Sequence, residues 1–219
     1  MIGIKVWYTN SIHKFYVRNG DKYLEHYFTN NENLKSELRD INFSFDAYNF
    51  TFTSDNGVFS KNKIDYASLF LVKTFFAFNK KEYQTILDIG CGYGFIGITL
   101  SKILNKHIDM VDINKRAVHL CEMNIKKNKV DATAWESNIY DKVENNYDLI
   151  ITNPPIRVGK DILMEFLKGG LARLNKDGEL WFVISKDQGA KSVKKELEKI
   201  CTCEIQDKSK GFWVISAKN

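Results

Sequence analysis

An α/β fold on a mostly parallel sheet is what this sequence predicts, and three observations carry the prediction. Short apolar runs recur at residues 86–89, 108–112, 132–135, 147–152 and 180–184, and segments with apolar residues at helical spacing separate most of them. The first run leads directly into a cluster of glycines, Gly90, Gly92, Gly94 and Gly97, which reads as strand, tight turn and helix start. Two further strands, around 203–205 and around 212–215, are joined only by residues 208–211. That link is too short for a crossover, so a seven-stranded sheet is expected to end in an antiparallel hairpin.

The elements follow in order. Residues 1–22 mix polar and aromatic types without a period and have no assigned role; 23–60 form a small N-terminal β region; 61–219 form the main domain. Ile41, Phe43 and Phe45, then Tyr48, Phe50 and Phe52, alternate as a hairpin turning near Asp46 and Ala47. The turn Ser54-Asp-Asn-Gly57 precedes a helix carrying Leu69, Val72 and Phe76. Helices are then read from Phe95/Ile96, Leu100 and Ile103/Leu104; from Val118, Cys121 and Ile125; from Leu163, Phe166, Leu167, Leu171 and Leu174; and from Val193, Leu197 and Ile200. Right-handed crossovers should connect the parallel strands.

Composition narrows the function classes. With 219 residues, 44% of them apolar, the chain can bury one substantial core and is globular, not disordered. No apolar run approaches the roughly 20 residues of a membrane span, and the first residues lack a secretory signal's apolar core, so a cytoplasmic protein is expected. Cys91, Cys121, Cys201 and Cys203 include no C-x-x-C pair, which points to reduced thiols and to no metal site. A net charge of +5 is compatible with a polyanionic partner and equally with an ordinary basic enzyme. Lys14, Arg18, Lys22, Arg157, Lys160 and the lysines of 186–195 are candidates for a basic rim, which would make RNA binding strongly salt-dependent.

The chemistry gathers where strands end, the edge at which open α/β sheets bind ligands. Gly92-x-Gly94-x-x-Gly97 also fits a dinucleotide fingerprint. Asp88, the acid before the glycines, favours a ligand with an amino group and no phosphate, and S-adenosylmethionine is such a ligand. Asp112, closing the second strand, is placed to accept hydrogen bonds from ribose hydroxyls, and Asn138 to bond an adenine edge. Thr152-Asn-Pro-Pro-Ile156 closes the fourth strand. Pro154 and Pro155 fix φ and remove two N–H donors, which leaves carbonyls and the Asn153 side chain to grip an –NH2 group.

With these stretches in hand, the chain resembles the class I S-adenosylmethionine-dependent methyltransferases, and in particular the small-subunit (16S) ribosomal RNA guanine-N2 family in its single-domain Gram-positive form. The resemblance runs from about Tyr23 to the C-terminus. It rests on Phe50-Thr-Phe-Thr-Ser-Asp-Asn-Gly-Val-Phe-Ser60, Leu87-Asp-Ile-Gly-Cys-Gly-Tyr-Gly94, Thr152-Asn-Pro-Pro-Ile156 with Gly159-Lys160, and Gly178-Glu-Leu-Trp181. It implies a Rossmann-like methyltransferase fold, S-adenosylmethionine as cofactor, and ribosomal RNA or an assembling small subunit as partner. By the same resemblance Asp88, Gly90 and Gly92 hold the cofactor's methionine part, Asp112 its ribose and Asn138 its adenine, with Gly94 in the same cofactor-binding set. Asn153, Pro154 and Pro155 take the target amine, with Phe59, Ile156, Arg157 and Lys160 on the substrate side. Two alternatives stand beside it: the same chemistry on a protein glutamine or on adenine, and a non-catalytic RNA-binding module.

Overall fold

The computed structural model describes residues 35–155 and 159–219. The segment 1–22, with Lys14, Arg18 and Lys22, and the substrate-side residues Ile156 and Arg157 lie outside the described residues. A two-stranded hairpin, β1 (Arg39–Phe45) and β2 (Tyr48–Ser54), comes first and turns through Asp46 and Ala47 as the alternation predicts. There follow α1 (Tyr66–Phe78), β3 (Ile86–Ile89), α2 (Phe95–Leu104), β4 (Ile108–Asp112), α3 (Lys115–Asn128), β5 (Ala132–Glu136), β6 (Tyr147–Thr152), α4 (Lys160–Leu171), β7 (Leu174–Ser185), a 3-10 turn (Lys186–Gln188), α5 (Ala190–Leu197), β8 (Thr202–Ser209) and β9 (Phe212–Lys218).

The main sheet has the order β5-β4-β3-β6-β7-β9-β8, in which the first five strands are parallel and β9 is antiparallel to both of its neighbours, β7 and β8. The strand order reverses between β3 and β6, so the carboxyl ends of β3, β4, β5 and β6 share one edge at the switch point. The central strands read as continuous apolar runs because both faces are covered: β3 is buried at all four positions. One core joins the sheet to α1, α2, α3 and the hairpin; the other joins it to α4 and α5.

Two element boundaries differ from the sequence expectation. Leu174 does not extend the helix before it but opens β7. The start of β7 is irregular: Asp177 sits at φ +64°, and Gly178 brings its backbone so near β6 that a Cβ would lie 2.9 Å from the Tyr147 carbonyl oxygen. The last hairpin is also tighter than the stretch 208–211, because β8 continues to Ser209. Only Lys210 and Gly211 remain in the turn, both with positive φ, as the twist of a two-residue hairpin requires.

The N-terminal hairpin is fixed by two means. Its aromatic face packs on the domain, with Phe43 and Phe52 edge to face against Phe95 at ring separations of 5.2 and 5.5 Å, and Phe45 tilted against Phe76 at 5.5 Å. Asn124 and Asn128, one turn apart on α3, bond the outward backbone groups of β2. Asn124 accepts from Thr53 N at 2.7 Å and donates to Thr53 O at 2.9 Å; Asn128 does the same for Thr51 at 3.0 and 2.9 Å. The fit is metric, since four residues of helix rise by about 6 Å and two of strand by about 6.6 Å. Asn124 also donates to Tyr93 O at 2.8 Å and so touches the glycine loop.

Candidate active site

The glycine loop is held over the end of β4. Gly90 N and Cys91 N both donate to Val111 O, at 2.8 and 3.0 Å, Gly94 N closes the turn onto Cys91 O at 2.9 Å, and Gly92 N donates to Asp112 Oδ2 at 2.8 Å. Gly90, Gly92 and Gly94 all have left-handed φ, at +70°, +57° and +94°. Their bare sides nevertheless face different ways. A Cβ on Gly92 would meet nothing within 4 Å and one on Gly90 only the Phe166 ring at 3.6 Å. At Gly94 it would strike Cys121 and Ile98 at 2.7 Å, and at Gly97 Met110 Sδ at 2.3 Å. Gly90 and Gly92 therefore expose backbone to the cleft, whereas Gly94 and Gly97 let α2 pack closely on its neighbours.

Asp88 lies beneath this loop with no exposed surface. Its Oδ2 accepts from Gly97 N at 2.8 Å, while Oδ1 has no hydrogen-bond partner among the described residues. Burial pushes its carboxyl up to about 7; the Gly97 N–H works against that shift and the charge of Asp112 adds to it. Asp112 is raised too, by burial, against the N–H groups of Asn114, Gly92 and Ile113. Its two oxygens accept from Gly92 N and Asn114 N, both at 2.8 Å, and the carboxylate keeps lone-pair capacity for a further donor. Asn114 caps α3 and donates to Gly57 O at 3.1 Å, which brings the turn after β2 to Asp112. Asn138 is partly buried past the end of β5, and its amide donates to Asp141 at 3.2 Å.

The acceptor side starts from Thr152, whose hydroxyl donates to Ile89 O at 2.7 Å and ties the end of β6 to the end of β3. Asn153 follows, with Pro154 buried and Pro155 partly so. The Asn153 amide nitrogen lies 3.1 Å from Asp65 Oδ2 and 2.9 Å from Ser68 Oγ. The same Asp65 oxygen caps α1, accepting from Ser68 N at 2.8 Å and Ser68 Oγ at 3.1 Å. Asn153 Oδ1 has no hydrogen-bond partner among the described residues. After burial, the Asp65 charge is the second cause that raises the Tyr93 phenol, which puts the cap of α1 beside the glycine loop as well.

Sequence reasoning missed Asp65 and Ser68. Asp65 before an apolar helical run is a legible cap, but its second partner is not. Phe59, 53% exposed, stands in the turn between β2 and α1, and Lys160 at the start of α4 donates to Ser192 at 3.4 Å. A surface depression of about 440 Å³ lies along α4, lined by Lys160, Asp161, Met164, Glu165, Lys168 and Glu196. None of the strand-end residues lines it, and its mixed charges single out no ligand. Among the described residues no helix is long and apolar enough to cross a membrane, and none group as a metal site.

A glycine loop, an acid at the end of the next strand and an Asn-Pro-Pro turn beside them are matched together by one family model, described as methyltransferase small domain, over residues 49–216. This chain belongs to that family. It is 38% identical to the uncharacterized Bacillus subtilis protein YbxB, over 89% of this chain and 98% of that protein. It is also 38% identical to ribosomal RNA small subunit methyltransferase C of Buchnera aphidicola (subsp. Cinara cedri), over 78% of this chain but 50% of that one. Among solved structures, a Thermus thermophilus 16S rRNA N2 methyltransferase, in complex with AdoMet and guanosine, superposes with a TM-score of 0.76 at 24% identity, covering 85% of this chain and 52% of its own. The family member thus spans nearly all of YbxB and about half the length of the two rRNA methyltransferases. Its fold is the Rossmann-like methyltransferase fold.

Proposed function

We propose that this methyltransferase transfers a methyl group from S-adenosylmethionine to the N2 amine of a guanine in small-subunit ribosomal RNA, free or in an assembling subunit, in the cytoplasm. The observation that carries the reading is Asn153: both of its amide hydrogens have protein partners, and its oxygen, an acceptor, is left for a substrate N–H. Relatives named as rRNA methyltransferases, and the solved neighbour with AdoMet and guanosine, support guanine as the base.

The residues present fit the cofactor. Bare backbone at Gly90 and Gly92 admits a ligand, the Asp88 carboxylate beneath them, with Oδ1 unpartnered among the described residues, favours a cation above, and Asp112 has lone-pair capacity for hydroxyls. When bound, S-adenosylmethionine supplies an electrophilic methyl carbon. The chain's task is then to present the amine. Its nitrogen lone pair is delocalised into the guanine ring, and acceptance of its hydrogens by Asn153 Oδ1 and a carbonyl of the Asn-Pro-Pro turn raises electron density on nitrogen and aims it. Nitrogen would gain the methyl as the methyl–sulfur bond breaks and the neutral thioether leaves, and the cationic nitrogen would release one proton to water. Orientation supplies much of the rate.

Lysines along the same edge fit a polyanion. Lys210 stands 4.7 Å from the Tyr66 ring and Lys208 4.1 Å from that of Trp213, at the tip of the β8–β9 hairpin next to the Asp65 cap. Incubation of small-subunit RNA with the protein and S-adenosylmethionine, followed by mass analysis of nucleosides, should yield N2-methylguanosine. Methylation of a protein glutamine or of adenine with no modified guanosine would overturn the assignment.

A further inference from the structure

We infer that Asp65 and Ser68 are positioning residues that lock the Asn153 amide in the one orientation that accepts from an amine, and so set which edge of a base the site reads. The inference rests on the proposed amine transfer but concerns different residues. A primary amide has two near-isosteric ends, a donor –NH2 and an acceptor C=O, and only its partners decide which end points where. Here the decision is one-sided. The Asp65 carboxylate is acceptor-only, and its Oδ2 stands 3.1 Å from the Asn153 nitrogen. Ser68 Oγ, 2.9 Å from the same nitrogen, sends its hydrogen to Asp65 Oδ2 at 3.1 Å and so offers Asn153 only lone pairs. Rotating the amide by a half-turn would set its carbonyl oxygen against a carboxylate oxygen and strand both hydrogens on the cleft side.

Ser68 is buried, which keeps water from standing in for these bonds, and Asp65 belongs to the cap of α1, so the latch is as rigid as the helix end. Thr152 fixes the backbone just before Asn153 through its bond to Ile89 O. The consequence is specificity. A site that presents only acceptors selects an exocyclic –NH2 and rejects a carbonyl at the same position, because two oxygens would face each other without a proton.

The test separates the latch from the cap. Asp65→Ser keeps a good N-cap residue but removes the carboxylate, and Ser68→Ala keeps the cap bond through its own N–H while removing one of the two acceptors on Asn153. Both variants, and wild type, are assayed for melting temperature, S-adenosylhomocysteine affinity, kcat and KM with guanine-bearing RNA. Each is also assayed for competition by the same RNA carrying xanthine, whose C2 bears a carbonyl, at the target position. The latch requires unchanged melting and cofactor affinity, kcat lowered by about 10-fold or more, and xanthine RNA competing better against Asp65→Ser than against wild type. Asp65→Asn, whose carbonyl can still accept from Asn153, should restore most of kcat. A kcat within about 2-fold of wild type in both variants, with xanthine competition unmoved, overturns the latch. Absence of N2-methylguanosine with wild type would instead overturn the assigned reaction, so the two failures are distinguishable.

Discussion

The two walls of the site are built from the chain in different ways. The cofactor wall is local: Asp88, Gly90 and Gly92 fall within five residues, and Asp112 reaches back to them with one bond to Gly92 N. The acceptor wall is assembled at long range, with Asn153 oriented by Asp65, a partner 88 residues away on another element. A wall made by backbone geometry is defined by what is missing, a side chain, whereas a wall made by a side-chain amide is defined by who holds it. Damage to the first should therefore abolish binding, and damage to the second should spare binding and slow chemistry.

Gly92→Val probes the first wall and carries the largest expected effect. The residue sits at φ +57°, where a β-branched side chain is strained, and its Cβ would project into open cleft and not into the core. Calorimetry should find no S-adenosylhomocysteine binding in a protein that still melts cooperatively. Retained affinity would mean that the cofactor lies elsewhere. NAD should bind neither variant nor wild type.

Asn153→Ala probes the second wall. It deletes the acceptor and leaves the prolines and strand, so turnover should fall by roughly 100-fold or more while cofactor affinity stays within about 2-fold. Near-normal methylation would reduce Asn-Pro-Pro to a turn and erase the contrast between the walls.

The smallest effect sharpens the cofactor wall alone. Asp88 titrates near 7 in the free protein, so a cationic ligand should bind the ionised form better and displace a proton below that pH. Affinity for S-adenosylmethionine should rise with pH by up to about 10-fold per unit below 7 and flatten above it. Calorimetry in buffers of different ionisation enthalpy should register the released proton, and Asp88→Asn should remove both signatures. The stability of the free protein moves the opposite way. The folded value lies above the ordinary carboxylate value of ~4, so this group's contribution is full below ~4 and is lost as pH rises through about 7. A melting temperature that instead rose across that window on account of Asp88 would contradict its burial.

Legibility followed the same division. The seven strands, their parallel-then-antiparallel order and the glycine turn were readable because each depends on periodicity or on spacing within a few residues. Within the loop, the sequence could not separate Gly94 from Gly92: both need positive φ, and only the packed neighbours Cys121 and Ile98 show that one faces inward. Leu174 fitted the helical spacing of α4, but pairing with β6 drew it into β7. Asp65 was visible as a helix cap and invisible as the holder of Asn153, because a hydrogen bond between side chains on two elements leaves no period in either.

The asparagine pair on α3 reaches beyond the site. A two-stranded hairpin has free edges, and the outward N–H and C=O groups of Thr51 and Thr53 would offer one of them to any passing chain as a template for strand pairing. Asn124 and Asn128 occupy those four groups. Because an amide imitates the peptide bond, it satisfies the edge as another strand would, yet it ends there and cannot propagate a sheet. The protein closes this edge with two residues of a neighbouring helix, one of which, Asn124, also touches the loop beneath which Asp88 lies.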